Sequence, residues 1–287
     1  MVLRIRALDK KPGIRTGRLS IGPYVIGISL FVIIGFAIHN LQSTGRSAAA
    51  IAMAKDMDMR NVEKFWAFPF LQSSGLVAIL LSYVTALLGL GRAALKEAGG
   101  TASATMNHVH RHVSLCVVGL VLIHMLTTAL DAMGDNWRTV LIPGTWAHQG
   151  WPEAVWGYNL GIAAAYILIL VGPTFYIRRI LAPTHWLTLH HFAAFFYLFS
   201  LWHAMILGLD LAYYQWLRPM IWLAQIPLLG LLMKRLYRPA FTSSSSKVSH
   251  FNLSRISCLA VFVMCTFAIA VLLFVVITGK SDFIETV

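Results

Sequence analysis

Long apolar runs broken by short polar gaps dominate the chain. They fall near residues 21–38, 68–91, 112–130, 155–177, 187–209, 215–233 and 256–278, and each is long enough to cross a bilayer as a helix. The gaps carry turn residues: "HNLQSTGRS", "KEAGGTAS", "MGDNWRTVLIPGTW", "RRILAPTH" and "KRLYRPAFTSSSSK". Runs five and six are joined only by "DLAYYQWLRP", which predicts a tight hairpin around Pro219. The pattern predicts an all-α, polytopic membrane helix bundle with a six-helix core and a seventh, C-terminal transmembrane helix. It divides into a basic arm over 1–20, the six-helix region over 21–235, a Ser-rich linker over 236–255, and the last helix with its tail over 256–287.

Composition agrees. Of 287 residues, 58% are hydrophobic and only 12% charged, about half the charge of a soluble domain. The basic start has no clear small-residue cleavage site, so no signal peptide is expected. With the N-terminus in the cytoplasm, 16 of the 23 basic residues fall on the inner side, and nine of the 11 acids fall outside. This positive-inside bias accounts for most of the +12 net charge, and a nucleic-acid partner need not be invoked. Membrane lipid is the expected surrounding, in the plasma (inner) membrane with the C-terminus outside. Cys116, Cys258 and Cys265 all lie within apolar runs and form no readable motif.

The histidines are organised. Seven belong to runs three and five: His108, His110, His112 and His124, then His190, His191 and His203. His110 and His124 are 14 apart, His190 and His203 are 13 apart, and the rises are roughly 21 and 20 Å. The two helices run parallel to each other, so His110 matches His190 in depth and His124 matches His203. Imidazoles facing across a bundle at two depths can supply both axial ligands to each of two b-type haems. A single histidine on an apolar helix is more often a hydrogen-bonded packing residue, but matched spacing on two helices is harder to explain that way. His108, His112 and His191 read as solvated residues or propionate neighbours, any of which could replace a named ligand. His39, His148, His185 and His250 read as loop residues.

One detail resists. Fourteen residues return to within about 40° of the same helix face, but thirteen land about 140° away, and His191 to His203 about 120° away. A π-bulge or bend is therefore expected between His190 and His203. Otherwise the two sites present different faces.

These residues resemble the ferric reductase-like transmembrane domain family, which includes ferric reductases, NADPH oxidases and the haem subunit of a bacterial methionine sulfoxide reductase system. The stretches that carry the likeness are "HRHVSLCVVGLVLIH" and "WLTLHHFAAFFYLFSLWH", within a similarity spanning about residues 20–235. The resemblance implies that His110 and His190 hold an inner haem and His124 and His203 an outer one, with Phe196 as the aromatic residue between them. Phe196 can equally be a core residue. The chain departs from the family in three ways. Only about 20 residues follow run six before run seven, leaving no room for a dinucleotide domain. Run seven would carry the C-terminus outside. Thr128 stands where superoxide-forming oxidases can carry a further histidine.

Such a chain would carry electrons from a cytoplasmic flavoprotein, or from quinol in the bilayer, to ferric iron or a partner redox protein outside. It would be an oxidoreductase component that needs its donor in trans, with two haem b as cofactors and a quinone or partner flavin as the electron source. Arg111, with Arg178 and Arg179, is placed to neutralise inner propionates or receive an acidic donor, and it serves equally as a topology determinant. Two other readings compete: a quinol-oxidising di-haem cytochrome b subunit, and a haem or metal transporter. A transporter favours helices broken at mid-membrane. Runs three and five contain no proline, and Gly119 is their only mid-helix glycine.

Overall fold

The computed structural model describes residues 21–54, 57–95, 101–132, 136–145, 152–172, 174 and 183–236, together with Leu259, Val263 and Thr266. Among these every regular element is helical: α1 (Gly22–Ser43), α2 (Ala48–Ala52), α3 (Phe68–Leu95), α4 (Thr101–Leu130), α5 (Trp137–Leu141), α6 (Pro152–Val171), α7 (Pro183–His191), α8 (Ala193–Leu207), α9 (Leu209–Tyr213), α10 (Leu217–Leu223) and α11 (Gln225–Leu236). Among the described residues five segments are long and apolar enough to cross a membrane: 22–51, 68–92, 105–130, 154–171 and 189–207. The chain is an integral membrane protein. Its outward surface is correspondingly apolar, with Ile21, Val25, Ile33 and Phe36 of α1 and Trp156 and Leu170 of α6 all exposed.

Two helix pairs build the core, α3 with α4 and α6 with α8, and α1 lies against both α3 and α4. Small residues set the close approaches. A Cβ on Gly27 would meet Leu81 and Cys116, and one on Gly35 would meet Phe70 and Ser73. The main cluster, which includes Val77, Leu81, Val113, Val117, Leu120, Ala164 and Phe196, fills the middle of the bundle. At its far end α1 is closed by Gly45, whose φ of 72° lets Arg46 N–H reach Leu41 C=O at 2.7 Å and Gly45 N–H reach Gln42 C=O at 3.0 Å. That arrangement satisfies two carbonyls the helix would otherwise leave bare.

In the fourth run α6 ends at Val171, and residues 173 and 175–177 lie outside the described residues. The third span is longer than its apolar run. α4 begins at Thr101, so His108, His110 and His112 sit well inside a helix. His39 and His185 likewise lie in helices, α1 and α7, while His148 and His250 lie outside the described residues.

The fifth span is interrupted. α7 ends at His191 and α8 begins at Ala193, with Phe192 between. There Phe192 N–H bonds Leu189 C=O and Phe195 N–H bonds Phe192 C=O, both at 3.0 Å and both three residues back. This is a tightened turn, where a π-bulge or a bend was expected. A turn of this kind winds about 120° per residue against about 100° in an α-helix. Thirteen residues fall about 140° short of four full turns, so the extra winding reduces a shortfall that a π-bulge would have enlarged.

The sixth run is not one helix. It follows a short connecting helix, α9, and a turn at 214–216, and then splits into α10 and α11. Pro219 is the third residue of α10 rather than the apex of a hairpin, a place where its missing N–H has no helical partner to lose. The break at Ala224 has a local cause. Pro227 has no N–H for the Leu223 carbonyl, and its ring crowds that carbonyl. Gln225 braces the break from within: it is buried, its Nε2 donates to Ile221 C=O at 2.9 Å, and its Oε1 accepts from Tyr197 Oη at 3.0 Å, although the Leu223 carbonyl is not among its partners. The seventh run lies outside the described residues except for Leu259, Val263 and Thr266.

Candidate functional site

α4 supplies two histidines on one face. His110 Nδ1 lies 2.9 Å from Thr85 C=O, and His124 Nδ1 lies 3.0 Å from Leu71 C=O. A carbonyl only accepts, so each Nδ1 carries the proton and each Nε2 keeps its lone pair on the side of the ring away from α3. The register is antiparallel and the arrangement repeats. Thr85 lies 14 residues beyond Leu71, as His124 lies 14 beyond His110.

Each ring also rests on a glycine four residues after its carbonyl partner. A Cβ on Gly75 would come 3.1 Å from His124, and one on Gly89 would come 3.2 Å from His110. The same device recurs between α6 and α8. His203 Nδ1 lies 2.8 Å from Gly157 C=O, and four residues later a Cβ on Gly161 would come 2.5 Å from that nitrogen. These glycines did not figure in the sequence reading. Their signal was present all the same: Gly75 and Gly89 repeat at 14 residues on the helix before α4, in step with the histidines.

Across the bundle the rings meet in two tiers. The centroids of His110 and His190 are 6.1 Å apart, as are those of His124 and His203, with interplanar angles of 81° and 90°. Two imidazoles bonded at about 2.0 Å to opposite sides of one metal ion would place their ring centres roughly 6 Å apart. His190 is braced by Trp186, which stacks on it at 5.2 Å and 12°. Near this tier Trp186 Nε1 and Thr85 Oγ1 are buried without a hydrogen-bond partner, so the pocket has polar capacity to spare.

Phe196 is buried in the central cluster, with Val117 of α4 in the same cluster. Both stand about midway between the two histidines of their own helix. Arg111 is half-buried, with Nη2 3.4 Å from His112 Nε2. His112 is not the solvated residue expected. It is 1% exposed, its Nδ1 lies 2.8 Å from Tyr24 Oη on α1, and its ring meets His108 edge to face at 4.4 Å. Two residues along a helix turn about 200°, which points His112 at α1 and away from the paired tier. Thr128 bonds its own helix, donating to His124 C=O at 2.7 Å.

Beyond the His124–His203 tier, Gln72 Nε2 donates to Asp210 Oδ2 at 3.1 Å, tying α3 to α9. Burial pushes the Asp210 carboxyl up from its ordinary value. A carboxyl raised in the folded state takes up a proton on folding, so its contribution to stability fades as pH rises above the ordinary carboxylate range. Asp210→Asn keeps an acceptor for Gln72 and removes the titration. The variant's thermal midpoint in detergent is expected to fall less than the parent's between about pH 5 and about pH 8. Parallel curves would contradict the burial effect.

The fold and the site define a polytopic helical membrane protein with two tiers of paired histidines in its core. Residues 74–201, from the α3 segment behind His124 to the middle of α8, match the family described as ferric reductase like transmembrane component. Over that interval the chain is similar to ferric reductase-like transmembrane proteins. The match takes in His110, His124 and His190 and stops two residues before His203. No curated protein and no solved structure matches the chain.

Proposed function

We propose that the protein carries electrons across the membrane through two b-type haems, one held by His110 and His190 and the other by His124 and His203. The observation that carries this reading is the pair of equal ring separations, 6.1 Å in both tiers. The tautomer supports it. Backbone carbonyls hold Nδ1 of His110, His124 and His203, which leaves Nε2 free as the metal-binding atom without loss of a proton. The glycines support it too, since they let three of the rings sit back against neighbouring helices and keep the space between each pair open. When bound, each haem supplies a one-electron Fe(III)/Fe(II) couple whose potential follows its ligands and surroundings.

The chain's own residues do the rest. The α3 and α6 carbonyls orient the imidazoles, and the apolar cluster around Val117 and Phe196 keeps water out of the gap between tiers. Phe196 fills the space between the two electron-carrying centres. Arg111 stands at the His110–His190 end, where it balances negative charge. With the N-terminus in the cytoplasm, electrons reach His110 and His190 from a flavoprotein or from quinol. They leave at His124 and His203 for ferric iron or a redox protein outside the plasma membrane.

The test is a haem assay and a reduced-minus-oxidised spectrum on the purified full chain. Two haems per chain with low-spin bis-imidazole spectra are expected. A chain that folds, shown by a cooperative thermal transition, and takes up no haem in reconstitution would overturn the reading.

A further inference from the structure

Three of the chain's 11 methionines, Met53, Met57 and Met59, fall within "MAKDMDM" between α2 and α3. Met57 N–H bonds Met53 C=O at 2.8 Å, which holds those two residues close together. Met59 N–H then bonds Met57 C=O at 3.0 Å, and the chain reverses so that Met59 is 1% exposed. Met53 and Met57 are partly buried against the cluster formed by Met59, Ala49, Ala50, Phe65 and Phe68. Three methionines therefore pack in or against one small apolar cluster.

A second observation points to the same place. Gln42, near the end of α1, is 0% exposed, and its Nε2 donates to Met59 C=O at 2.8 Å and to Phe65 C=O at 3.5 Å. Both partners accept only, so the amide orientation is fixed. Gln42 Oε1 is left buried with no hydrogen-bond partner. A buried, unpartnered oxygen normally costs about 1–3 kcal/mol, so this one has a lone pair to offer a bound group.

We propose that this cluster is a Cu(I) site, with the sulfurs of Met53, Met57 and Met59 as ligands and Gln42 Oε1 as a further neutral donor. The chemistry of the donor set selects the ion. Thioethers favour soft monovalent copper, whereas hard divalent ions require carboxylates. The nearest described carboxylate, Asp58, is turned outward, where its Oδ1 pairs with Arg60 Nε at 2.8 Å. No group of three or more His, Cys, Asp or Glu side chains able to hold a metal occurs among the described residues. Methionine also fills irregular packing gaps, and the copper titration below separates that role from ligation.

The cluster borders the electron-carrying core. Phe68 precedes by three residues the Leu71 carbonyl that holds His124, and Leu209, which packs on the cluster, follows His203 by six. Copper binding does not depend on haem and stands apart from the electron-transfer reading.

The experiment uses the full chain in detergent under anaerobic conditions, with Cu(I) titrated against bathocuproine disulfonate. The parent is compared with the Met53→Leu/Met57→Leu double variant and with Met220→Leu, whose residue lies exposed on α10. The thermal midpoint serves as the folding control. The double variant should weaken Cu(I) binding by about tenfold or more, with Met220→Leu unchanged. A redox-inert probe gives a residue-level reading: Ag(I) should protect the partly buried Met53 and Met57, but not Met220, from peroxide oxidation followed by mass spectrometry. Equal Cu(I) affinity in parent and double variant, or equal oxidation with and without Ag(I), overturns the proposal.

Discussion

Gly161→Ala should empty the His124–His203 tier and leave the His110–His190 tier filled. The haem ratio is expected to drop from two per chain towards one. A Cβ at this position would stand 2.5 Å from His203 Nδ1 and 2.7 Å from its Cε1, distances no relaxed contact reaches. Two effects oppose each other. Replacing a mid-helix glycine by alanine favours the helix by up to about 1 kcal/mol. Overpacking a tight core costs about 1–3 kcal/mol. Here the clash wins, because His203 cannot retreat without losing its 2.8 Å bond to Gly157 C=O. Gly75→Ala and Gly89→Ala, at 3.1 and 3.2 Å from their histidines, should loosen their tiers to a smaller degree. Gly119→Ala is the matched control. No atom lies within 4 Å of its Cβ position, so it should keep both haems and raise the thermal midpoint. If Gly161→Ala behaves like Gly119→Ala, the glycine cradle has no bearing on the histidines.

The class of the fold and the depth pairing of the histidines were legible because both depend on one-dimensional spacing. Twenty apolar residues cross a membrane whatever their neighbours, and 14 residues return to one helix face. What the spacing could not supply was the other side of each contact. The carbonyls of Leu71, Thr85 and Gly157 leave no trace in side-chain identity, since any residue offers a carbonyl. Burial of His112 was missed for a related reason. Its position beside two other histidines and an arginine resembles a wet interface, and only Tyr24, 88 residues away on α1, makes it a buried, hydrogen-bonded residue. The sixth run was read as one span because it is apolar throughout. Pro227 broke it, and the bracing bonds of Gln225 depend on Tyr197 across the bundle. The interruption at Phe192 was foreseeable as a need but not as a form. The 13-residue spacing left the two histidines on different faces and suggested a π-bulge or a bend, and only the hydrogen bonds disclosed a tightened turn, which recovers part of the missing rotation.

Paired ligands make a prediction that single variants cannot. His124→Ala and His203→Ala should each release the same haem, so the double variant His124→Ala/His203→Ala should lose no more than either alone. His110→Ala/His124→Ala should lose both haems. Such non-additivity within a tier, and additivity between tiers, follows from residues acting as a unit on one group. His112→Ala separates ligation from packing. It should retain both haems and lower stability by about 1–3 kcal/mol, because Tyr24 Oη gives up its bond to a buried ring. Function should respond more sharply than haem content. On the proposed reading electrons pass both tiers to cross, so in proteoliposomes with ferricyanide trapped inside, any of the four single histidine variants should lower transmembrane reduction to the protein-free background, even while one haem remains. Should His110→Ala and His190→Ala release different haems, the rings of that tier do not share a group. The 6.1 Å separation between them would then reflect packing alone.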